Sequence, residues 1–93
     1  MASYGIIAAR LNINERELER ESMRAYLRHR LREVQADIVH LCNKYGVHSA
    51  EEMEARYREG TLPEAGTWEE FFRLDHLEVS QDEFTSLLQE KRW

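Results

Sequence analysis

The groups with which this chain could do chemistry are few. There is one thiol, Cys42, and there are four imidazoles, His29, His40, His48 and His76; among the paired carboxylates Glu51-Glu52 and Glu69-Glu70 stand out. A metal site needs several ligands converging on one point, and a nucleophile needs a base and an oxyanion donor beside it. His40, Cys42 and His48 lie closest in sequence, but the step from His40 to Cys42 turns a helix by about 200°, so the two side chains point apart. His29 and Cys42 are thirteen positions apart on one expected helix and cannot meet within a chain. Both of these pairs fall in first helical turns, where acids complement the helix dipole and take up free amides. No glycine-rich phosphate loop is present. The expectation is a protein that is not an enzyme and holds neither metal nor cofactor.

Arg16, Arg20, Arg24, Arg28 and Arg32 recur at every fourth residue. Four residues turn a helix by about 400°, so the five guanidinium groups drift by about 160° and form a slanted ridge. Guanidinium groups suit phosphate geometry, and a nucleic-acid contact through Arg16, Arg20, Arg24 and Arg28 is one reading. Against it, Glu17 and Glu21 interrupt the ridge and no aromatic side chains interleave as a base-stacking surface requires. The net charge of −5 also argues against a general nucleic-acid binder. The favoured reading is a solvated face that meets the acidic last helix, with its Glu69, Glu70, Asp75, Glu78, Asp82 and Glu83.

Helices must position all of these groups. Asn14 is a good N-cap, with Glu17 three residues on, and no glycine or proline follows until Gly46. That predicts one helix over residues 14–45. Along it Leu27, Leu31, Val34, Ile38, Leu41 and Tyr45 succeed one another at spacings of 4, 3, 4, 3 and 4, the rhythm of a seam that lies against another helix. Ser49 with Glu52 opens a short helix, 49–59, that carries Met53 and Tyr57 on one face and stops at Gly60. The loop 61–66 contains Pro63. Thr67 with Glu70 forms a third capping signature, and Phe71, Leu74, Leu77, Gln81, Phe84 and Leu88 carry a last helix over 67–91. Ser80 with Glu83 is a place where that helix could bend. Trp68, Phe71 and Phe72 read as core against Tyr57 and Met53.

The first thirteen residues precede the first cap yet are apolar at Tyr4, Ile6, Ile7, Leu11 and Ile13. They fit an added helical turn, a strand or an arm that orders on a partner. Trp93 fits either a partner contact or an idle end.

The fold class is therefore all-α, an elongated antiparallel helical hairpin forming a single domain over 1–93. A helix of 32 residues is about 46 Å long, whereas a compact chain of this size has a diameter of only about 30–35 Å. A partner helix of about 24 residues cannot cover the first along its whole length, so two hairpins are expected to dimerise as a four-helix bundle through the seam from Leu27 to Tyr45. Ile38→Asp should destabilise it strongly, since a buried unpaired charge costs several kcal/mol. With 42% apolar and 33% charged residues, a small core lies in a charged shell. The charge is polarised. Residues 1–32 hold seven arginines against four glutamates, and residues 33–93 hold six basic against fourteen acidic side chains, balances of +3 and −8. A lone cysteine fits a reduced, cytoplasmic setting. No run of apolar residues suits a membrane span, and the first thirteen residues do not read as a secretory signal.

The stretch from Tyr45 to Glu54, followed by Tyr57, Gly60 and Trp68-Glu69-Glu70-Phe71, resembles small helical proteins of archaea and bacteria that sit beside a toxin-like partner and are treated as antitoxins. The likeness covers roughly Leu31 to Leu77. It implies an acidic, non-enzymatic protein that binds and neutralises a basic toxin, without the DNA-binding elements of the better-known antitoxins. The leading expectation is such a protein-binding module, with Tyr4, Ile6, Ile7 and Leu11 as candidate apolar anchors. The alternatives are the nucleic-acid contact and a structural helical spacer in a larger assembly.

Overall fold

The computed structural model describes residues 3–90 and 93, and among these it contains helices and no strand. The helices are α1 (Tyr4–Leu11), α2 (Glu15–Tyr45), α3 (Ala50–Glu59) and α4 (Trp68–Gln89). The start and end of α2 show how the boundaries are set. Asn14 Oδ1 accepts from the backbone N–H groups of Arg16 at 2.9 Å and Glu17 at 3.1 Å, which satisfies two of the free amides that open α2. Gly46 ends α2 in the left-handed region with φ +63°, and the Val47 N–H returns to the Cys42 carbonyl. From α3, the Arg56 guanidinium donates to the carbonyls of Gly46 at 2.8 Å and Tyr45 at 3.4 Å. The end of one helix is thus held by the body of the next.

At the start of α3, Ser49 Oγ accepts from Glu52 N–H at 3.0 Å. The Glu52 carboxylate reaches back past Ser49 to the His48 N–H at 2.8 Å. A further free amide, that of Ala50, donates to Glu78 of α4 at 3.1 Å. The third capping signature does not form. Thr67 stands at the cap position of α4, but its side chain bonds none of the free amides. Its hydroxyl donates to the Pro63 carbonyl at 2.7 Å and lies 2.8 Å from the Tyr57 hydroxyl. Glu70, which would have completed the box, instead accepts from Lys44 Nζ at 2.7 Å and from the Tyr45 hydroxyl. A charge-assisted pair with α2 wins over an exposed amide. The last helix runs through Ser80 without a break and stops at Gln89, where Glu90 is already extended. Residue 91, to which the spacing carried it, lies outside the described residues.

Residues before the first cap form a helix rather than a strand. Ser3 Oγ accepts from Ile6 N–H at 3.3 Å, and Asn12 closes α1 in the left-handed region with φ +57°. The chain then reverses, so α1 lies back against α2 with Ala8 buried.

The core gathers where α2, α3 and α4 meet. Leu41, Met53 and Leu74, one from each, are fully buried, and Cys42, Val47 and Ala50 complete the cluster. Ile38, Tyr45, Tyr57, Leu62, Phe71 and Leu77 pack around them. The two long helices run antiparallel, as four cross-contacts establish. Lys44 meets Glu70, Arg73 meets Asp37 at 3.6 Å, Arg30 lies 5.6 Å over the Phe84 ring, and Arg24 lies 5.4 Å over Trp93. Within this register the seam of α2 is turned inward: Val34 and Leu41 are buried, and Leu27, Leu31, Ile38 and Tyr45 are half-buried. The part of α2 that α4 does not accompany is its first third, and α1 folds back there. The seam is thus partly covered within one chain.

Trp68 and Phe72 depart from expectation. Both are exposed, and only Phe71 of the three aromatics packs on the core. At about 100° per residue, Phe71 and Leu74 face α2 and α3, while Trp68 and Phe72 fall to the outer side of Phe71. Hydrophobicity placed them inside; helical phase places them outside. The molecule measures 61 × 25 × 18 Å with a radius of gyration of 19.1 Å, against about 12 Å for a compact chain of its length. No described helix is long and apolar enough to cross a membrane.

Two outcomes follow. Met53→Ala and Leu74→Ala should each cost about 2–5 kcal/mol in urea unfolding, whereas Val79→Ala, on the exposed side of α4, should stay within about 0.5 kcal/mol. The second concerns pH. Hydrogen bonds from Lys44 and Tyr45 hold the Glu70 carboxyl below its ordinary value, and the His48 amide and ring do the same for Glu52. Carboxyls lowered on folding stabilise the fold above the ordinary carboxylate range, and that stability is lost as pH falls through the lowered values. Glu70→Gln should therefore melt below the parent at neutral pH, and the gap between the two should close on acidification.

Candidate functional site

The groups with catalytic potential lie apart from one another along the rod. Cys42 is buried in the core, and burial, followed by the nearby carboxylates of Glu78 and Glu52, pushes its thiol up from the ordinary value. Such a thiol stays protonated at neutral pH and is a poor nucleophile. His29 lies 3.6 Å from Glu33, and His48 Nδ1 lies 2.9 Å from Glu52. His40 and His76 are exposed. Among the described residues, no three His, Cys, Asp or Glu side chains are grouped to hold a metal ion. Of the acidic pairs, Glu52 and Glu70 are fixed in their ionised forms by the bonds described above.

The arginine ridge exists but does not meet the acids of α4. Arg16, Arg20, Arg28 and Arg32 are exposed and Arg24 is half-buried; none of the five forms an ion pair with a described residue. The antiparallel register explains this, since it sets Glu69, Glu70 and Asp75 opposite the last turns of α2 and brings the far end of α4 to the ridge. A groove of about 710 Å³ runs there beside Arg20, Arg24 and Arg28, and Glu17, Glu21 and Glu90 line it too. Three carboxylates and three guanidinium groups thus share this groove.

Apolar surfaces are exposed at both ends of the rod. At the open end, where α1 lies, a groove of about 580 Å³ is formed by Tyr4, Met23, Tyr26, Leu27, Leu87 and Trp93. Trp93 is seated by an indole N–H bond to the Leu87 carbonyl at 2.9 Å and by the guanidinium of Arg24 over its ring. Of the candidate anchors on α1, Tyr4 enters this groove. Ile7 and Leu11 follow Tyr4 at spacings of 3 and 4 and so share its side of the helix, while Ile6 projects from another. All four are exposed, Ile6 and Leu11 at 61%.

At the hairpin end, Trp68 and Phe72 stand exposed at 51% and 59%. Their rings meet edge to face at 5.9 Å, and Phe72 in turn meets Phe71 at 5.4 Å. Phe71 packs edge-on against Tyr57 at 5.6 Å, so the exposed pair is buttressed from the core. A shallow pocket of about 620 Å³ opens over these rings, with Glu54, Glu64 and Asp75 on its border. Arg58, on the same border, lies 3.5 Å from Glu54. Glu64, Glu69 and Asp75 form no ion pair among the described residues. Reading for hydrophobic residues alone misses this surface. The usable signal was phase: Trp68, Phe72 and Val79 lie at spacings of 4 and 7, within about 40° of one another on a helix, and acids flank them.

No curated protein and no solved structure matches this chain. A protein-family model described as the Uncharacterized protein MJ0235 family matches residues 1–92, and the chain belongs to that family.

Proposed function

We propose that this chain is a non-catalytic protein-binding module, and more concretely an antitoxin-like partner that neutralises a basic protein. The supporting observation is that large apolar side chains are left exposed on an otherwise charged rod. The acidic balance of −8 in residues 33–93 would speed encounter with a basic partner, and apolar anchors would hold it. The resemblance over Leu31 to Leu77 points the same way.

Two copies of the chain associate side by side as a bundle, through the open end. The seam of α2 is half-covered by α4, and at Leu27 it runs into the groove of Tyr4, Met23, Tyr26 and Leu87, which is the surface offered to a second copy. Like charges keep the acidic hairpin ends of two copies apart, whereas the open end mixes Glu15, Glu19, Arg16 and Arg20 and repels its own kind least. The nucleic-acid reading keeps one supporting observation, the unpaired arginines, and is opposed by the carboxylates set among them.

Three measurements test these readings. Calorimetric titration with the product of the neighbouring open reading frame should give saturable binding, with an association rate that falls as salt rises. If that neighbour is unrelated to any toxin and neither the intact chain nor one lacking residues 1–13 captures it, the antitoxin reading fails. Light scattering at micromolar concentration should give about twice the 11.1 kDa of one chain, and Tyr26→Glu with Leu87→Glu should give a folded monomer; a monomeric parent contradicts the bundle. Anisotropy with duplex DNA or RNA at low salt should show no association.

A further inference from the structure

We propose that the Trp68–Phe72 surface is a docking site for a lysine- or arginine-bearing segment of the partner, with the rings taking the alkyl stem and guanidinium or ammonium group and Glu64 and Asp75 taking the charge. This rests on the protein-binding reading and names its surface and chemistry. Four observations carry it. Trp68 and Phe72 are the most exposed aromatic pair in ring contact, and they lie on a helix whose inner face is fixed by Leu74. The chain Phe72, Phe71, Tyr57 links them ring by ring to the core, so their positions are set before a partner arrives. A rigid, two-torsion aromatic on a prepared surface loses little entropy on binding, which is why tryptophan concentrates at interface hot spots. Glu64 and Asp75, which form no ion pair among the described residues, border the rings, and an aromatic face attracts a cation directly.

Charge decides the occupant. A second copy would bring its own Glu64, Glu69 and Asp75 to face these, so self-docking here is repelled. A nucleic acid is repelled more strongly still. An apolar helix without charge would leave the border acids unpartnered, whereas a basic amphipathic segment satisfies rings and acids together. The position is also distinct from the open end, where α1 and the groove offer mixed charge, so the two surfaces take different partners.

The test uses the full chain carrying Trp93→Phe, so that Trp68 alone reports by fluorescence, with two-dimensional NMR to map the footprint. The probe is a short peptide of alternating lysine and leucine; two controls replace every lysine by glutamine or every leucine by serine. Binding should shift Trp68 emission and move amides around Trp68, Phe72, Glu64 and Asp75, and both controls should bind at least about tenfold more weakly. Trp68→Ala with Phe72→Ala should weaken the peptide about tenfold or more while leaving the circular dichroism unchanged, since both side chains are exposed. Glu64→Gln with Asp75→Asn should weaken it and flatten its salt dependence. A footprint at the open end, a footprint spread along the acids of α4, or an unchanged affinity in the Trp68, Phe72 variant overturns the proposal. If the neighbouring gene product binds the double alanine variant as it binds the parent, this surface fails and the protein-binding reading survives. If the peptide docks here but the neighbour binds neither form, the antitoxin reading fails and the surface stands.

Discussion

The rest of the molecule depends on three side chains meeting at one point. Leu41, Met53 and Leu74 are fully buried where α2, α3 and α4 converge, and among the described residues no polar side chain is buried with them. A helix the length of α2 has no reason to fold back on anything by itself; most helical stability in proteins comes from packing an apolar face. The convergence supplies that face at the hairpin end. It sets the antiparallel register, because Leu41 and Leu74 can only be neighbours if Lys44 lies near Glu70 and Asp37 near Arg73. That register then fixes what lies at the other end: the far turns of α4 and Trp93 beside the arginines, and α1 over the part of α2 left unaccompanied.

The polar bonds at the corners reinforce the same convergence and explain why they look unlike simple caps. Arg56 closes α2, Glu78 takes an amide of α3, and Glu70 ties α4 to Lys44 and Tyr45. Each bond joins two helices, where a local cap would serve only one. The consequence is visible at Thr67, whose side chain is left to hold the loop through Pro63 and the Tyr57 hydroxyl instead of opening its own helix.

Much of this was legible in the residues. Asn14, Gly46, Ser49 and Gly60 mark helix ends, and the 4–3 spacing from Leu27 to Tyr45 marks the inner face of α2, because capping and periodicity are local properties. What was not legible depends on partners distant in sequence. Nothing near Glu70 shows that Lys44 and Tyr45 will claim it. Nothing near Tyr4 shows that α1 will lie back on α2, since Asn12 in the left-handed region is a turn that many residues could have avoided. Trp68 and Phe72 were misplaced for a different reason: apolar character was weighed above helical phase, and phase put them on the outer side of Phe71. The candidate site was hidden by that same choice.

The hairpin end is a packed platform that presents an exposed aromatic surface, and the open end is held by fewer buried side chains. Native-state amide hydrogen exchange on the free chain tests this most directly, because it resolves stability along each helix. The slowest exchange should fall on the turns around Leu41, Met53 and Leu74 and extend through Trp68–Phe72, with α1 and the first turns of α2 exchanging much faster. Equal protection along the whole of α2, or the slowest exchange in residues 15–27, would contradict it.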